Sequence, residues 1–175
     1  MTRDARELSP AQQLSLVVLR TLVGWHFLYE GYFKLLHPAW SRGGAPLPSW
    51  SAAGYLKGAT GPFASVFRAM GESSWLPQLD LLVVIGLVLV GLSLLLGFLT
   101  EAGCLGALAL LALFYVSAIP SSGVADAHAE GAYLFVNKNL IEACAVFVLL
   151  VFRTGRLAGL DRLRWQKAQP QEVSA

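Results

Sequence analysis

Three ionisable side chains, His26, Glu30 and Lys34, fall at four-residue intervals in the first long apolar stretch of the chain, with Trp25 beside them and Arg20 upstream. At 100° per residue they share one stripe of a helix, and Arg20 lies within a quarter turn of Glu30. A later apolar stretch repeats the pattern with Lys138 and Glu142, flanked by Asn139. Glu30, Glu142 and His26 can carry protons. Trp25, His26 and Asn139 can donate hydrogen bonds to an oxygen, and Lys34, Lys57 and Lys138 attract anions.

A charge placed at the centre of a bilayer costs at least about 2.5 to 3.5 kcal/mol, so such residues face the protein interior and seek partners. If both stretches are spans, Glu30 and Lys138 lie at similar depth, about 8 to 9 Å below the outer end at 1.5 Å per residue. The expected pairs are Glu30 with Lys138, and Lys34 or Lys138 with Glu142. Two readings stand: polar glue that fixes helix register, or, preferred here, a ligand pocket in the outer half of a bundle. His26 as a haem ligand lacks an axial partner at matching depth, since His37 and His128 fall in or beside loops, so a hydrogen-bonded histidine is expected. Cys104 and Cys144 form no metal-spaced or CxxC set and read as small buried residues with no disulfide between them. Neither metal nor haem is expected.

The elements that must position these residues follow from hydropathy. With 55% hydrophobic and 14% charged residues, 175 residues in all and a mean hydropathy of +0.57, the composition points to lipid as solvent. The chain reads as all-α, an integral membrane four-helix bundle in one domain over 1–155, with spans at about 14–36, 79–100, 102–119 and 133–152. Ser9, Pro10 and Gln12 form a capping box that starts the first helix, and the charges inside it argue for a permanent span over a cleaved signal. The turn Thr100–Gly103 is expected to join the second and third spans, Pro120 to end the third, and Gly155 to cap the fourth. The loop 37–75 carries Trp40, Trp50, Tyr55, Phe63, Phe67 and Trp75 around turns such as Gly43–Pro48, and is expected to lie as an interfacial cap on the outer surface.

Residues 156–175 read as a basic cytoplasmic tail; with Arg153 and Arg156 in the count, its positive charge puts both termini on the cytoplasmic side and the segment Ser121–Glu130 outside. The net charge of +2 does not argue for a nucleic-acid partner. No Gly-x-Gly-x-x-Gly after a strand, phosphate loop or Gly-x-Ser-x-Gly motif occurs, which leaves nucleotide-binding and hydrolase chemistry unsupported.

The segments Arg20-Thr-Leu-Val-Gly24-Trp-His-Phe-Leu-Tyr-Glu-Gly31-Tyr-Phe-Lys34, Trp50-Ser-Ala-Ala-Gly-Tyr-Leu-Lys57 with Gly61-Pro62-Phe63, and Tyr133-Leu-Phe-Val-Asn-Lys-Asn-Leu-Ile-Glu142 together resemble the DoxX/DoxD family. The resemblance covers most of the chain from Ser15 to Arg153. It implies a small four-helix protein of the bacterial cytoplasmic membrane, and the DoxD branch is the membrane subunit of thiosulfate:quinone oxidoreductase. On that basis a quinone is the expected electron acceptor. Its carbonyl oxygens would be held by Arg20, Trp25 and Asn139, its protons handled by Glu30, His26 and Glu142, and an anionic reductant drawn by Lys34, Lys57 and Lys138. A small redox subunit and a homo-oligomer are the implied partners besides the bilayer. The other reading is a non-enzymatic accessory or anchor subunit that assembles with a redox partner.

Overall fold

The computed structural model describes residues 8–36, 50–119, 132, 133 and 135–168. The expectations for His37, Trp40, the Gly43–Pro48 turn, Pro120, the Ser121–Glu130 segment and the end of the chain concern positions outside these residues. Among the described residues the chain is mostly helical. The order is α1 (Pro10–Leu36), α2 (Ala53–Lys57), α3 (Ala64–Gly71), α4 (Leu76–Leu96), α5 (Thr100–Ser117), the antiparallel pair β1 (Ala132–Tyr133) and β2 (Val136–Asn137), α6 (Lys138–Val151), a 3₁₀ turn (Thr154–Arg156) and α7 (Leu160–Ala168).

Two helices, α4 with 21 residues and α5 with 18, are long and apolar enough to cross a membrane. α1 has 27 residues but is interrupted by Arg20, Glu30 and Lys34, and α6 has only 14. The two helices that carry the ionisable stripes are therefore the two that hydropathy and length alone do not mark.

Local chemistry sets the boundaries. The capping box forms as expected: the Ser9 amide donates to Gln12 Oε1 at 2.8 Å and the Gln12 amide donates to Ser9 Oγ at 3.3 Å. α4 ends on Gly97 in the left-handed region (φ 61°), Leu99 also adopts positive φ (50°), and α5 begins at Thr100. The turn between these helices is thus 97–99, before the Thr100–Gly103 segment assigned to it from sequence. α6 begins at Lys138, five residues after Tyr133, because residues 132–137 pair as extended strands and the Asn137 side chain caps the helix by accepting from the Leu140 amide at 3.1 Å. After α6 the left-handed position falls on Arg153 (φ 47°), where the sequence reading places a glycine cap at Gly155. Gly155 instead lies in the 3₁₀ turn, where a Cβ would meet Thr100 Oγ1 and come within 2.7 Å of Asp161 Oδ2.

α1 packs antiparallel along α4, and α5 joins α4 to α6. Gly24 brings the α1 and α4 backbones together: a Cβ there would stand 2.8 Å from the Leu95 amide nitrogen. Phe27, Leu87, Leu94, Leu111, Val146 and Leu149 fill the shared core. α2 and α3 close on their own small core of Ala52, Leu56, Ala59 and Phe67. Asp80 of α4 ties this unit down by accepting from the Ala52 amide at 2.7 Å, and Thr60 bridges to Ala118 past the end of α5. Cys104 is buried, but Cys144 is exposed on α6, against the expectation that both are buried, and both are free thiols. The first part of the segment read as a tail is docked, with the Asp161 amide donating to the Gly97 carbonyl at 2.8 Å.

Candidate functional site

Where α1, α4, α5 and the start of α6 diverge, they enclose a cavity of about 290 Å³, covered by α2 and α3. Phe27, Leu56, Phe67, Leu87, Leu111 and Phe114 make most of its wall apolar. One side is polar. α1 contributes His26, Glu30 and Lys34, because four-residue steps keep them on one face, and the first turns of α6 contribute Lys138, Asn139 and Glu142.

The charges pair differently from the sequence expectation. His26 Nδ1 lies 2.6 Å from Glu142 Oε1, a hydrogen bond that links α1 to α6, with His26 half-exposed and Glu142 mostly buried. Glu30 pairs with Lys34 one turn along its own helix. The reach of an i,i+4 pair takes Lys34 to Glu30, and the rotation of α1 against α6 brings a histidine instead of a lysine to Glu142. The expected pairs of Glu30 with Lys138 and of Glu142 with a lysine are therefore replaced. Lys138 has no ion pair among the described residues. The Lys34 ammonium also sits 5.4 Å from the centre of the Trp50 ring, a cation–π contact that fixes it at the cavity edge.

Three residues assigned to this cluster from sequence are elsewhere. Arg20 is buried at the far end of the bundle, where its Nη1 donates to the Thr154 carbonyl at 2.9 Å and the Ala158 carbonyl at 2.6 Å. A quarter turn separates it from Glu30 around the helix, but ten residues put them about 15 Å apart along it. Trp25 is exposed on the outside of α1 with its ring 6.2 Å from that of Tyr29, and Lys57 is exposed at the end of α2; neither lines the cavity.

The cavity also has residues that the sequence reading did not assign to it. Trp50, Tyr55, Phe67 and Met70 come from the covering loop, and Ser117 from the end of α5. The Tyr55 hydroxyl donates to the Phe114 carbonyl at 3.0 Å, which pins the cover to α5. Phe63 and Trp75 of the same loop are exposed, and nothing in the spacing of these aromatics separates the inward from the outward ones.

A second polar cluster surrounds Asp161 in α7, whose carboxylate accepts from the Leu99 amide at 2.9 Å and the Thr100 amide at 2.8 Å. Burial pushes this carboxyl up, but the backbone hydrogen bonds from Thr100 and Leu99 and the nearby Arg164 outweigh it and hold the group below its ordinary value. Among the described residues no group of His, Cys, Asp and Glu side chains is arranged to hold a metal ion. No protein-family model, curated protein or solved structure matches the chain.

Proposed function

We propose that the chain is a four-span membrane protein, with α1, α4, α5 and α6 as spans and both termini cytoplasmic, whose outer-half cavity takes a quinone headgroup and serves a quinone-linked oxidoreductase. The observation that carries this reading is a mostly apolar cavity, ring-sized at about 290 Å³, with the Glu30–Lys34 ion pair, the His26–Glu142 hydrogen bond and Lys138, which has no ion pair among the described residues, gathered on one side. Exposed Leu81, Leu82, Leu89 and Leu105 on the two apolar helices support lipid as the surrounding solvent.

Reduction of a quinone to a quinol takes up two electrons and two protons. The Asn139 amide and the Lys138 ammonium are suited to donate hydrogen bonds to ring oxygens, and His26 with Glu142 forms a pair able to pass on a proton. The resemblance to the membrane subunit of thiosulfate:quinone oxidoreductase supplies the donor class: two thiosulfate anions release two electrons when they join through a new S–S bond. Lys138, which has no ion pair among the described residues, is the cation available to attract such an anion.

The test is thiosulfate-dependent reduction of a short-chain quinone analogue by the purified chain, with and without the products of neighbouring genes, beside Glu142→Gln. Reduction by the wild type and at least a tenfold loss in the variant is the expected result. No reduction in any combination, no quinone retained on purification, and a stoichiometric co-purifying subunit would put the accessory-subunit reading in its place. Topology is read separately from a Lys57→Cys variant lacking Cys104 and Cys144, which should react with impermeant reagents from the outer side only.

A further inference from the structure

The opposite end of the bundle holds a second hollow, a cleft of about 500 Å³ between the start of α5, the 3₁₀ turn and α7. Arg153, Arg156 and Arg164 stand around it with Trp165 at the edge. The acids lining it do not balance these cations. Glu101 Oε1 is 3.3 Å from Arg156 Nη2 and 3.6 Å from Arg153 Nε, so one carboxylate oxygen serves two guanidiniums. Asp161 accepts from the Leu99 and Thr100 amides at the positive end of α5 and has Arg164 nearby, so two carboxylates stand against three guanidiniums. Arg153 itself occupies a left-handed conformation that favours glycine. Beside the cleft, Phe98, Leu99, Leu163 and Trp165 are exposed apolar surface, and the Arg164 guanidinium lies 5.4 Å from the Phe98 ring centre.

We propose that this cleft binds the phosphodiester headgroup of an anionic phospholipid of the inner leaflet, held by Arg153, Arg156 and Arg164, with the acyl chains along Phe98 and Leu99. The proposal rests on the four-span reading, in which the cleft opens where α4, α5 and α6 leave the hydrocarbon. Guanidinium forks match phosphate oxygens, an anionic leaflet supplies them at high local concentration, and tryptophan favours the headgroup level.

The experiment compares full-length protein in detergent with added phosphatidylglycerol, phosphatidylcholine or inorganic phosphate, reading lipid retention by native mass spectrometry and Tm by thermal unfolding. Wild type should retain phosphatidylglycerol in preference to phosphatidylcholine and gain Tm with it. Each guanidinium removed should weaken retention about fivefold, hence about 25-fold for Arg153→Gly with Arg156→Gln. Arg153→Gly relieves the left-handed strain, so without lipid it should unfold no earlier than wild type, which separates lost binding from a lost fold. Glu101→Gln frees both guanidiniums and should raise retention. Equal retention by wild type and the double variant, or no preference between the lipids, overturns the proposal. Equally effective inorganic phosphate overturns the lipid assignment in favour of a soluble anion. A chain that purifies without detergent removes the four-span reading as well, whereas a detergent-requiring chain indifferent to phosphatidylglycerol removes only this inference.

Discussion

Arg20 and Glu30 sit on the same helix and meet different kinds of partner. Arg20 is 3% exposed and donates to two backbone carbonyls, while Asp161 nearby accepts from two backbone amides. At the other end Glu30 and Glu142 are met by side chains, Lys34 and His26, beside open space. Backbone partners cannot be exchanged without moving the chain, so the first cluster is a clasp that holds α1, α5, the 3₁₀ turn and α7 together. Side-chain partners facing a cavity can swivel to a ligand, so the second cluster is available for chemistry. The type of partner, more than the presence of charge, separates polar groups locked to the backbone from those with room to meet a ligand.

The largest effect that tests this contrast is at the clasp. Arg20→Leu removes a guanidinium and leaves the Thr154 and Ala158 carbonyls without it, at an expected cost of about 3 to 5 kcal/mol read by thermal or denaturant unfolding. Arg20→Lys should recover only part of this: an ammonium can donate to two carbonyls as Nη1 does, but the lysine chain ends one atom short of that nitrogen. A stable Arg20→Leu protein would show that the clasp is incidental.

Next come two glycines that separate the regions by space alone. Gly155→Ala would press a Cβ into Thr100 and Asp161 within the clasp and should cost about 1 to 3 kcal/mol. Gly54→Ala, in the cover over the cavity, meets nothing within 4 Å and should change stability by no more than about 0.5 kcal/mol. Equal Tm shifts in the two variants would break the contrast.

A pH series gives a smaller signal. The Asp161 carboxyl is held below its ordinary value of 3.8 in the folded chain, so its contribution is complete above that value and is lost as pH falls through the folded one. Asp161→Asn should therefore lower Tm at neutral pH and flatten the acid limb of the Tm–pH curve below about pH 4. An acid limb unchanged in the variant would show that Asp161 does not set it.

The start of α1 and the ionisable stripe along it were legible because both are local: a capping box and a four-residue repeat need no knowledge of neighbours. The apolar runs of α4 and α5 were equally plain, although their joining turn lay a few residues earlier than the charged Glu101 suggested. What could not be read depends on how helices rotate against each other. Helical angle placed Arg20 with Glu30, and distance along the axis separates them. The choice of His26 for Glu142, the outward turn of Cys144 and the inward turn of Trp50, Tyr55 and Phe67 are likewise set by packing between elements. The extended pair before α6 was hidden because Tyr133 to Val136 reads as apolar as the helix that follows it.

A small stability effect is expected where the functional effect is largest, at the His26–Glu142 pair. His26 is half-exposed, so the pair gains little from leaving water, and Glu142→Gln keeps the volume and an accepting oxygen for the ring N–H. Its Tm should correspond to a change within about 1 kcal/mol, and a double-mutant cycle with His26→Gln should give a coupling of the same small size. Reduction of a quinone analogue should nevertheless fall at least tenfold in Glu142→Gln, because removal of the carboxylate takes one member from the proton-passing pair. If Glu142→Gln unfolds as readily as Arg20→Leu while analogue reduction per folded molecule is unchanged, the cavity cluster is a second clasp, and the polar side of the cavity fixes helix register instead of handling protons.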